Sequence, residues 1–334
     1  FLVIVMSFYK ESKTDLLKVS QNEHVLWYEQ AAKKWEQALP IGNGRLGAMV
    51  YGDPKNEKIQ LNDDSLWPND LGWGNPEGTP EDLKEIRELL FKGENQKADS
   101  LLVQKFSNKT VVRSHQTLGD LLINFKHNNI SDYKRSLNLS KAIVEVNYKV
   151  DGYLVSEKVF ASAKDQAIVV SLKSEHPNGL NGTLELYRND DEGYPTAKSL
   201  SKDDFLVMKG EVTQRKGKFN SKAMPILKGV KFETLVKVKN SGGLLSAQNN
   251  SISFRNVKEL ELYLVSNSSY YNDNYELQNM KHLNQIKKFS LNQIEKRHIV
   301  DHQTLFNRVD FDIFTDNDLQ KKPTDKRLND VKKG

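Results

Sequence analysis

The sequence contains no cysteine among its 334 residues. Disulfides, thiolate metal sites and cysteine nucleophiles are therefore excluded for this chain. It also lacks a long apolar run, because the stretch from Phe1 to Met6 is far shorter than the roughly 20 residues that span a bilayer. Polar residues follow this stretch at once. We interpret residues 1–20 as a clipped signal peptide or leader, with an edge strand as the alternative, and expect a periplasmic or secreted protein.

A concentrated positive charge is also missing. The 49 basic and 44 acidic residues are interleaved and leave a net charge of +5. The densest basic run, Lys321 to Lys333, is itself interrupted by aspartates. A nucleic-acid binder usually clusters its basic residues with aromatic residues on one surface. We therefore expect no nucleic-acid partner.

Metal and nucleophile motifs are equally scarce. His298 and His302 stand four residues apart, but the sequence offers no third ligand near them, and a zinc site needs at least three protein ligands. No G-x-S-x-G nucleophile elbow occurs either. We expect no metal site in this chain.

What is present includes an unusually glycine-rich stretch, GNGRLG. Gly42, Gly44 and Gly47 have the spacing of a dinucleotide-binding loop, but the strand-like AMVYG follows them where that loop needs a helix. Without a helix N-terminus nothing holds a pyrophosphate. The glycines instead predict a turn into a strand with close backbone approach, and no nucleotide or other cofactor is expected.

Period-two alternation dominates the chain from Leu121 to Val265. Between Ala142 and Phe160, apolar and polar side chains alternate, and Asp151-Gly152 supplies a two-residue turn. Later segments repeat the pattern at hairpin spacing. The sequence predicts a mainly β fold, a large antiparallel β-sandwich over residues 21–275.

A short two-helix insertion interrupts the β pattern. The first helix is expected over Thr79 to Gly93, because a capping threonine and a proline begin it and a glycine ends it. The second is expected over Asn95 to Phe106. The apolar residues predicted to face inward from the pair are Leu83, Ile86, Leu90, Ala98, Leu101 and Leu102.

Helical spacing returns after Tyr275. Residues 276–334 are predicted to form a C-terminal helical linker, because apolar side chains recur there every three or four residues. Its first helix offers an apolar face, part of which a following domain is expected to cover; the face consists of Leu277, Met280, Leu283 and Ile286.

The segment LNDDSLW, from Leu61 to Trp67, gathers residue types that suit a sugar. Carboxylates and amides hydrogen-bond hydroxyl groups, and an indole stacks on the apolar face of a pyranose. The candidate substrate contacts in this region are Asn62, Asp64, Trp67 and Trp73. The alternative is that Asp64 caps a turn and Trp67 fills the core.

Several motifs follow one another in a familiar order. They include LWYEQAAKKWEQALPIGNGRLGAMVYG, LNDDSLW, HQTLGDLLINF and GVKFETLVKV, then HQTLFNRVDFDI and PTDKRL. In order and spacing they resemble the N-terminal region of glycoside hydrolase family 95, the α-L-fucosidases and related hydrolases. The resemblance covers nearly the whole chain. It implies a β-sandwich with a linker, and a fucosylated oligosaccharide or glycan as the partner of the intact enzyme.

Two segments depart from the family pattern. The chain reads LNDDSLWPNDLGWGN where the family is closer to LNEDTLWSGGP, and Ser114 to Thr117 stand where a tyrosine-glutamine-proline usually precedes LGDL. Both departures concern substrate contacts and not the fold. His115 joins the candidate contacts on this ground.

The resemblance also assigns catalysis to another region. Family members resemble inverting hydrolases, whose acid and base groups lie in an (α/α)6 barrel that follows the PTDKRL linker. Few residues follow Arg327 here, so no catalytic residue is assigned and the chain is expected to be inactive alone. Three hypotheses stay open: part of an α-L-fucosidase-like hydrolase, a free-standing carbohydrate-binding or scaffolding module, and the same domain from a hydrolase of another L-sugar.

Overall fold

The computed structural model describes residues 24–67, 77–106, 115–191, 193–213, 229–311 and 321–333. Within these ranges the strands are β1 Val25–Tyr28, β2 Leu39–Gly42, β3 Leu46–Val50, β4 Asn56–Asp63, β5 Gly119–Phe125, β6 Ile130–Asn138, β7 Ile143–Val150, β8 Tyr153–Ser162, β9 Ala167–Ser174, β10 Leu180–Tyr187, β11 Ala197–Lys202, β12 Phe205–Glu211, β13 Lys231–Ser241, β14 Leu244–Gln248, β15 Ser251–Val257 and β16 Glu259–Ser268. The helices are α1 Pro80–Phe91, α2 Asn95–Phe106, α3 Tyr275–Ile286, α4 Leu291–Phe306 and α5 Thr324–Lys333.

The described strands form two antiparallel sheets packed face to face. The nine-stranded sheet has the order β1-β6-β7-β8-β9-β16-β13-β12-β11, and the seven-stranded sheet the order β14-β15-β10-β5-β4-β3-β2. The prediction of a large antiparallel β-sandwich with a two-helix insertion is confirmed.

The main apolar core lies between the two sheets. Strand β7 shows why, since Val144, Val146 and Tyr148 point inward and are buried while Glu145 points outward. Successive side chains of a strand face opposite sides, so every second residue of β7 enters the core. The predicted turn after β7 is confirmed, with φ of 50° at Asp151 and 85° at Gly152. Positive φ at both positions suits a tight hairpin between right-twisted strands.

The glycine-rich stretch is the turn between β2 and β3. Gly42 pairs with Gly47 across this hairpin, and Gly44 at its tip has a φ of +94°. The side-chain oxygen of Asn43 accepts hydrogen bonds from the backbone N–H groups of Arg45 and Leu46 at 3.1 and 2.8 Å. The expected turn into a strand is confirmed.

The inserted helices begin as predicted but bury less than predicted. The side chain of Thr79 accepts a hydrogen bond from the N–H of Asp82, and the side chain of Asp82 accepts one from the N–H of Thr79. This reciprocal pair is a capping box. Ile86 and Ala98 are buried and Leu101 is half-buried. The prediction was wrong for Leu83, Leu90 and Leu102, which are exposed because α1 and α2 pack mainly on each other.

Helices α3 and α4 cover the outer face of the nine-stranded sheet. Leu283, Ile286 and Ile294 form a second apolar cluster there with side chains from the sheet. Of the predicted apolar face, Leu277 and Met280 are exposed. The polar side chain of Asn279 is buried against the sheet instead.

Asn279 faces the sheet because the end of the sheet beneath α3 is polar. Its Nδ2 donates to the backbone carbonyl of Glu233 at 2.8 Å, and its Oδ1 accepts from Asn267 at 2.7 Å. A buried amide with these partners is satisfied, whereas an apolar side chain there would leave them unpaired. The rotation of α3 therefore follows hydrogen bonds as well as apolar spacing.

The histidine pair on α4 docks that helix. The Nε2 atom of His298 donates to the carbonyl of Lys141 at 2.9 Å, and that of His302 donates to the carbonyl of Leu139 at 2.8 Å. The four-residue spacing puts both rings on one face of the helix, over the turn that joins β6 and β7. Among the described residues, no group of three or more histidine or acidic residues could hold a metal ion.

Two glutamates lie inside the sandwich, one from each sheet. Glu57 on β4 and Glu157 on β8 are 1% and 2% exposed. Glu57 accepts a 3.0 Å bond from the N–H of Gly52, but one oxygen of each carboxyl group has no partner among the described residues. Burial raises the pKa of Glu157 to about 8. Burial, with repulsion from Glu157, also raises the pKa of Glu57.

We predict that the sandwich loses stability as the pH rises from 5 to 8. A carboxyl pKa raised above its unfolded value of about 4.3 favours folding in acid, and this contribution is lost as the pH passes through the folded pKa. The loss is up to ~1.4 kcal/mol per pH unit for each proton. Urea unfolding of the parent and of Glu157→Gln should diverge across this range, with the variant showing the flatter profile. Glu145→Gln, on the outer face of the neighbouring strand, should follow the parent; parallel profiles for Glu157→Gln and the parent would contradict the prediction.

Candidate functional site

An ion pair fixes the segment that the sequence singles out. Arg45, in the glycine-rich turn, donates from Nη1 to Asp63 Oδ2 at 2.9 Å and to the carbonyl of Ser266 at 2.7 Å. Its Nε donates to Gln166 Oε1 at 3.1 Å. Asp63 ends β4 in one sheet and Ser266 lies on β16 in the other. Arg45 therefore ties the two sheets together at one end of the sandwich.

The hydroxyl of Ser65 extends this network toward the surface. It donates to Asp63 Oδ1 at 2.6 Å and lies 2.6 Å from the hydroxyl of Ser268. Burial raises the pKa of Asp63, while the bonds from Ser65 and the charge of Arg45 oppose the rise. Leu66 is fully buried beneath the segment. The hydrogen bonds of Asp63 and Ser65, together with the burial of Leu66, thereby fix the turn from Asp63 to Trp67.

Three of the predicted contacts meet on the surface above this network. Trp67 is 51% exposed, so it does not fill the core. The ring of His115 meets it edge to face at 5.4 Å, and His115 Nε2 donates to the carbonyl of Asp63 at 2.8 Å. Asp64 accepts from the hydroxyl of Tyr271 at 3.1 Å through each of its oxygens.

Sequence reasoning missed two aromatic members of this surface. Tyr270 and Tyr271 are both exposed, with ring centroids 5.0 Å apart and nearly perpendicular planes. Burial, together with the bond to Asp64, raises the pKa of Tyr271, so its hydroxyl stays protonated and donates. The available signal was a tyrosine pair directly after a strand. We call Asp64, Trp67, His115, Tyr270 and Tyr271 the end patch.

The other two predicted contacts are not part of the end patch. Asn62 is exposed on the outer face of β4, beside Gly47, and makes no hydrogen bond to the described members of the patch. Trp73 lies outside the described residues. The end patch offers exposed aromatic rings for stacking and a carboxylate that accepts from hydroxyl groups, which are the groups a neutral sugar needs.

The sandwich that carries the end patch matches a known domain family. Residues 26–273 match the family described as "Glycosyl hydrolase family 65, N-terminal domain". Because the match covers most of the chain, the chain belongs to this family. It is the N-terminal domain of a glycoside hydrolase related to α-L-fucosidase. The narrower assignment to family 95 stays a prediction.

Known relatives are α-fucosidases by name. Alpha-L-fucosidase 2 of Arabidopsis thaliana is 26% identical over 302 residues, covering 83% of this chain and 35% of that protein. Probable alpha-fucosidase A of Aspergillus oryzae is 32% identical over 160 residues, 45% of this chain and 21% of that protein. The Aspergillus niger protein of the same name is 32% identical over 146 residues, 41% and 18% respectively. The chain thus spans about a third of the length of the Arabidopsis relative.

A solved structure is also similar. It is a putative kojibiose phosphorylase from the human microbiome, with a TM-score of 0.47 and 10% identity, covering 85% of this chain and 38% of that one. Separately, no helix among the described residues is both long and apolar enough to cross a membrane.

We predict that Arg45→Ala destabilises the chain by about 3–5 kcal/mol, because it leaves the carboxylate of Asp63 buried without its partner. Arg45→Lys should recover only part of this loss, since a single ammonium group cannot reproduce the fork that reaches Asp63, Ser266 and Gln166. Denaturant unfolding measures both effects. The matched double variant Arg45→Met/Asp63→Leu removes the uncompensated charge and should be more stable than Arg45→Ala. Equal stability of these two variants would count against the ion-pair account.

We predict that Trp67→Ala costs under about 1 kcal/mol of folding stability, because half of the indole already faces solvent. The fully buried Phe160→Ala on β8 is the contrast and should cost about 3–5 kcal/mol. Denaturant unfolding of the two variants checks the comparison. In the intact enzyme, Trp67→Ala should raise KM or lower kcat for a glycoside substrate. A stability loss with unchanged kinetics would remove Trp67 from the substrate contacts.

Proposed function

We propose that this chain is the N-terminal domain of an inverting α-L-fucosidase of glycoside hydrolase family 95. In the intact enzyme the substrate is a terminal α-L-fucoside of an oligosaccharide or glycan. The observation that carries the proposal is the 26% identity to Alpha-L-fucosidase 2 over 83% of the chain, joined to membership of a glycoside hydrolase family.

The role proposed for the domain is to support and complete a separate catalytic domain. Catalytic acid and base groups are assigned to an (α/α)6 barrel, so none is assigned to this chain. We place the sandwich at residues 21–275 and the linker at residues 276–334. Helices α3 and α4 of the linker are docked on the nine-stranded sheet, which gives a following domain a rigid attachment. Secretion and the leader at residues 1–20 stay predictions, and the leader lies outside the described residues.

The contribution proposed for the end patch is to hold part of the sugar chain. The apolar face of a deoxy sugar would stack on Trp67, and its hydroxyl groups would donate to Asp64. His115 and Tyr271 hold these two side chains in place. Asn62 and Trp73 stay candidate contacts without a described link to the patch.

The activity test uses the chain as it stands. We predict that purified residues 1–334 do not hydrolyse an aryl α-L-fucoside above background, because inversion needs a suitably spaced acid and base and both are assigned to the barrel. Release of the aryl alcohol is the measurement. Robust turnover that one point mutation in this chain abolishes would overturn the proposal.

The gene itself separates the proposal from its main alternative. A reading frame that continues past the codon for Gly334 into a long helical region supports a hydrolase domain. A natural stop codon there supports a free-standing carbohydrate-binding module. Activity of the longer product on an aryl glycoside of another L-sugar, and not on the fucoside, would keep the domain assignment and replace the substrate.

A further inference from the structure

The outer face of the seven-stranded sheet carries a row of sugar-binding side chain types. Strand pairing sets Gln60 of β4 opposite Asp120 of β5, and Asp120 opposite Tyr187 of β10. Their neighbours Leu61, Leu121 and Leu186 are buried in the core, so the row itself points outward. An amide, a carboxylate and an aromatic ring thus stand side by side across three strands. Tyr187 is 49% exposed.

Asp120 is the least solvated member of this row. One of its oxygens lies 3.5 Å from Lys58 Nζ, and the other is buried without a hydrogen-bond partner among the described residues. Burial raises the pKa of Asp120, and the charge of Lys58 opposes the rise. The oxygen beside Lys58 can still accept from a hydroxyl group, because a carboxylate oxygen takes more than one donor, and the lysine can donate to one.

A pocket of 420 Å³ opens at this row. Its lining includes Lys58, Gln60, His115, Asp120, Asn189 and Asp190, which we call the Asp120 pocket. The volume exceeds that of one pyranose ring. The pocket meets the end patch at His115, which lines the pocket and also contacts Trp67.

The wall of the pocket is held rigidly by Arg188. Its guanidinium donates to the carbonyl of Thr117 at 3.0 Å and to Gln116 Oε1 at 3.0 Å. It also donates to the carbonyls of Thr196 and Glu211. Together these bonds connect three segments, at residues 116–117, 196 and 211, to the start of the loop after β10. A rigid wall reduces the conformational entropy that a ligand must overcome on binding.

The charges of the Asp120 pocket select the class of ligand. Its lining carries charges of both signs, so neither an anion nor a cation suits all of it; the charged residues are Asp120, Asp190, Asp191, Lys58 and Arg188. Among the described residues no cluster of acidic and histidine side chains could hold a metal ion. A neutral ligand rich in hydroxyl groups uses both signs at once, because each hydroxyl group donates and accepts.

We propose that the Asp120 pocket is a carbohydrate-binding site that adjoins the end patch at His115 and takes a neutral pyranose unit. Asp120 and Gln60 hold hydroxyl groups, and Lys58 donates to one. Tyr187 is paired with Asp120 on β10 but does not line the pocket, so its ring flanks the part of the sugar that extends past the pocket. The inference rests on the proposed function, since only a domain that works on glycans has use for a second sugar contact. A glycan held there and at the end patch would run across His115 from one face of the sandwich to its end.

The test is a titration of residues 1–334 with L-fucose and with D-galactose, followed through backbone amide shifts in NMR spectra. D-galacturonate serves as the anionic comparison. We expect shifts in β4, β5 and β10 with either neutral sugar, and weaker shifts with the galacturonate. Asp120→Asn and Tyr187→Ala should each weaken binding by about fivefold or more, in line with one lost hydrogen bond or ring contact of about 1 kcal/mol.

Two control variants make the result specific. Tyr153→Ala removes a tyrosine of similar exposure, 44%, from the nine-stranded sheet, and should bind like the parent. Trp67→Ala should also keep the shifts in β4, β5 and β10. The proposal is overturned if neither neutral sugar shifts these strands, if shifts occur only around Trp67, or if Tyr187→Ala binds like Tyr153→Ala. Urea unfolding of each variant shows whether it is folded, and Asp120→Asn keeps the shape of the side chain it replaces.

Failure of the pocket proposal and failure of the hydrolase proposal give different results. Binding of D-galactose but not L-fucose would support the pocket and argue against a fucose-bearing ligand there. An intact enzyme that releases fucose while its Asp120 pocket binds neither sugar would support the proposed function and remove the pocket.

Discussion

The guanidinium of Arg45 fixes the end of the sandwich that carries the end patch. Two antiparallel sheets stacked through apolar side chains have no intrinsic register at their ends, because apolar packing is not directional. Arg45 supplies direction by bonding to Asp63 in one sheet and to the carbonyl of Ser266 in the other. The relative position of Asp64, which follows Asp63, and of Tyr271, which follows β16, depends on this contact. Gly44, just before Arg45, serves the same purpose through its φ of +94°, because glycine adopts this backbone conformation without strain and so lets the chain turn there.

Much of the fold could be predicted from local signals, and much of the site could not. Asp151-Gly152 and the Thr79 cap act within a few residues, so the sequence alone reveals them. Asn279 could not be placed, because its inward position depends on Asn267 and Glu233, which reach it through tertiary packing. The same limit applies to Leu277 and Met280, which share the apolar spacing of this helix but are exposed. Apolar spacing describes what a helix could bury, while the polar end of the sheet decides which face it does bury.

The candidate site likewise contains residues that the sequence reveals and residues that only the fold brings together. Asp64 and Trp67 were identified because they are adjacent in the chain, and the exposure of Trp67 now decides against a core role. Tyr271 joins them from more than two hundred residues away. The row of Gln60, Asp120 and Tyr187 depends on the pairing of three strands that are distant in sequence, and a shift of one residue would turn it toward the core. The outer faces of the two sheets thus differ. Helices α3 and α4 cover that of the nine-stranded sheet, whereas that of the seven-stranded sheet presents this row of polar side chains.

The docking of α4 has a consequence for how this domain can change over evolutionary time. His298 and His302 bond to backbone carbonyls of the turn between β6 and β7, and not to any side chain there. Burial lowers the pKa of His298, which favours the neutral ring that donates through Nε2. These contacts therefore depend on the backbone path of the turn and not on its side chains. Substitutions that preserve the backbone path of that turn leave these acceptors in place, and Gln303 adds a third bond of the same kind, from Nε2 to the carbonyl of Ser140 at 3.2 Å.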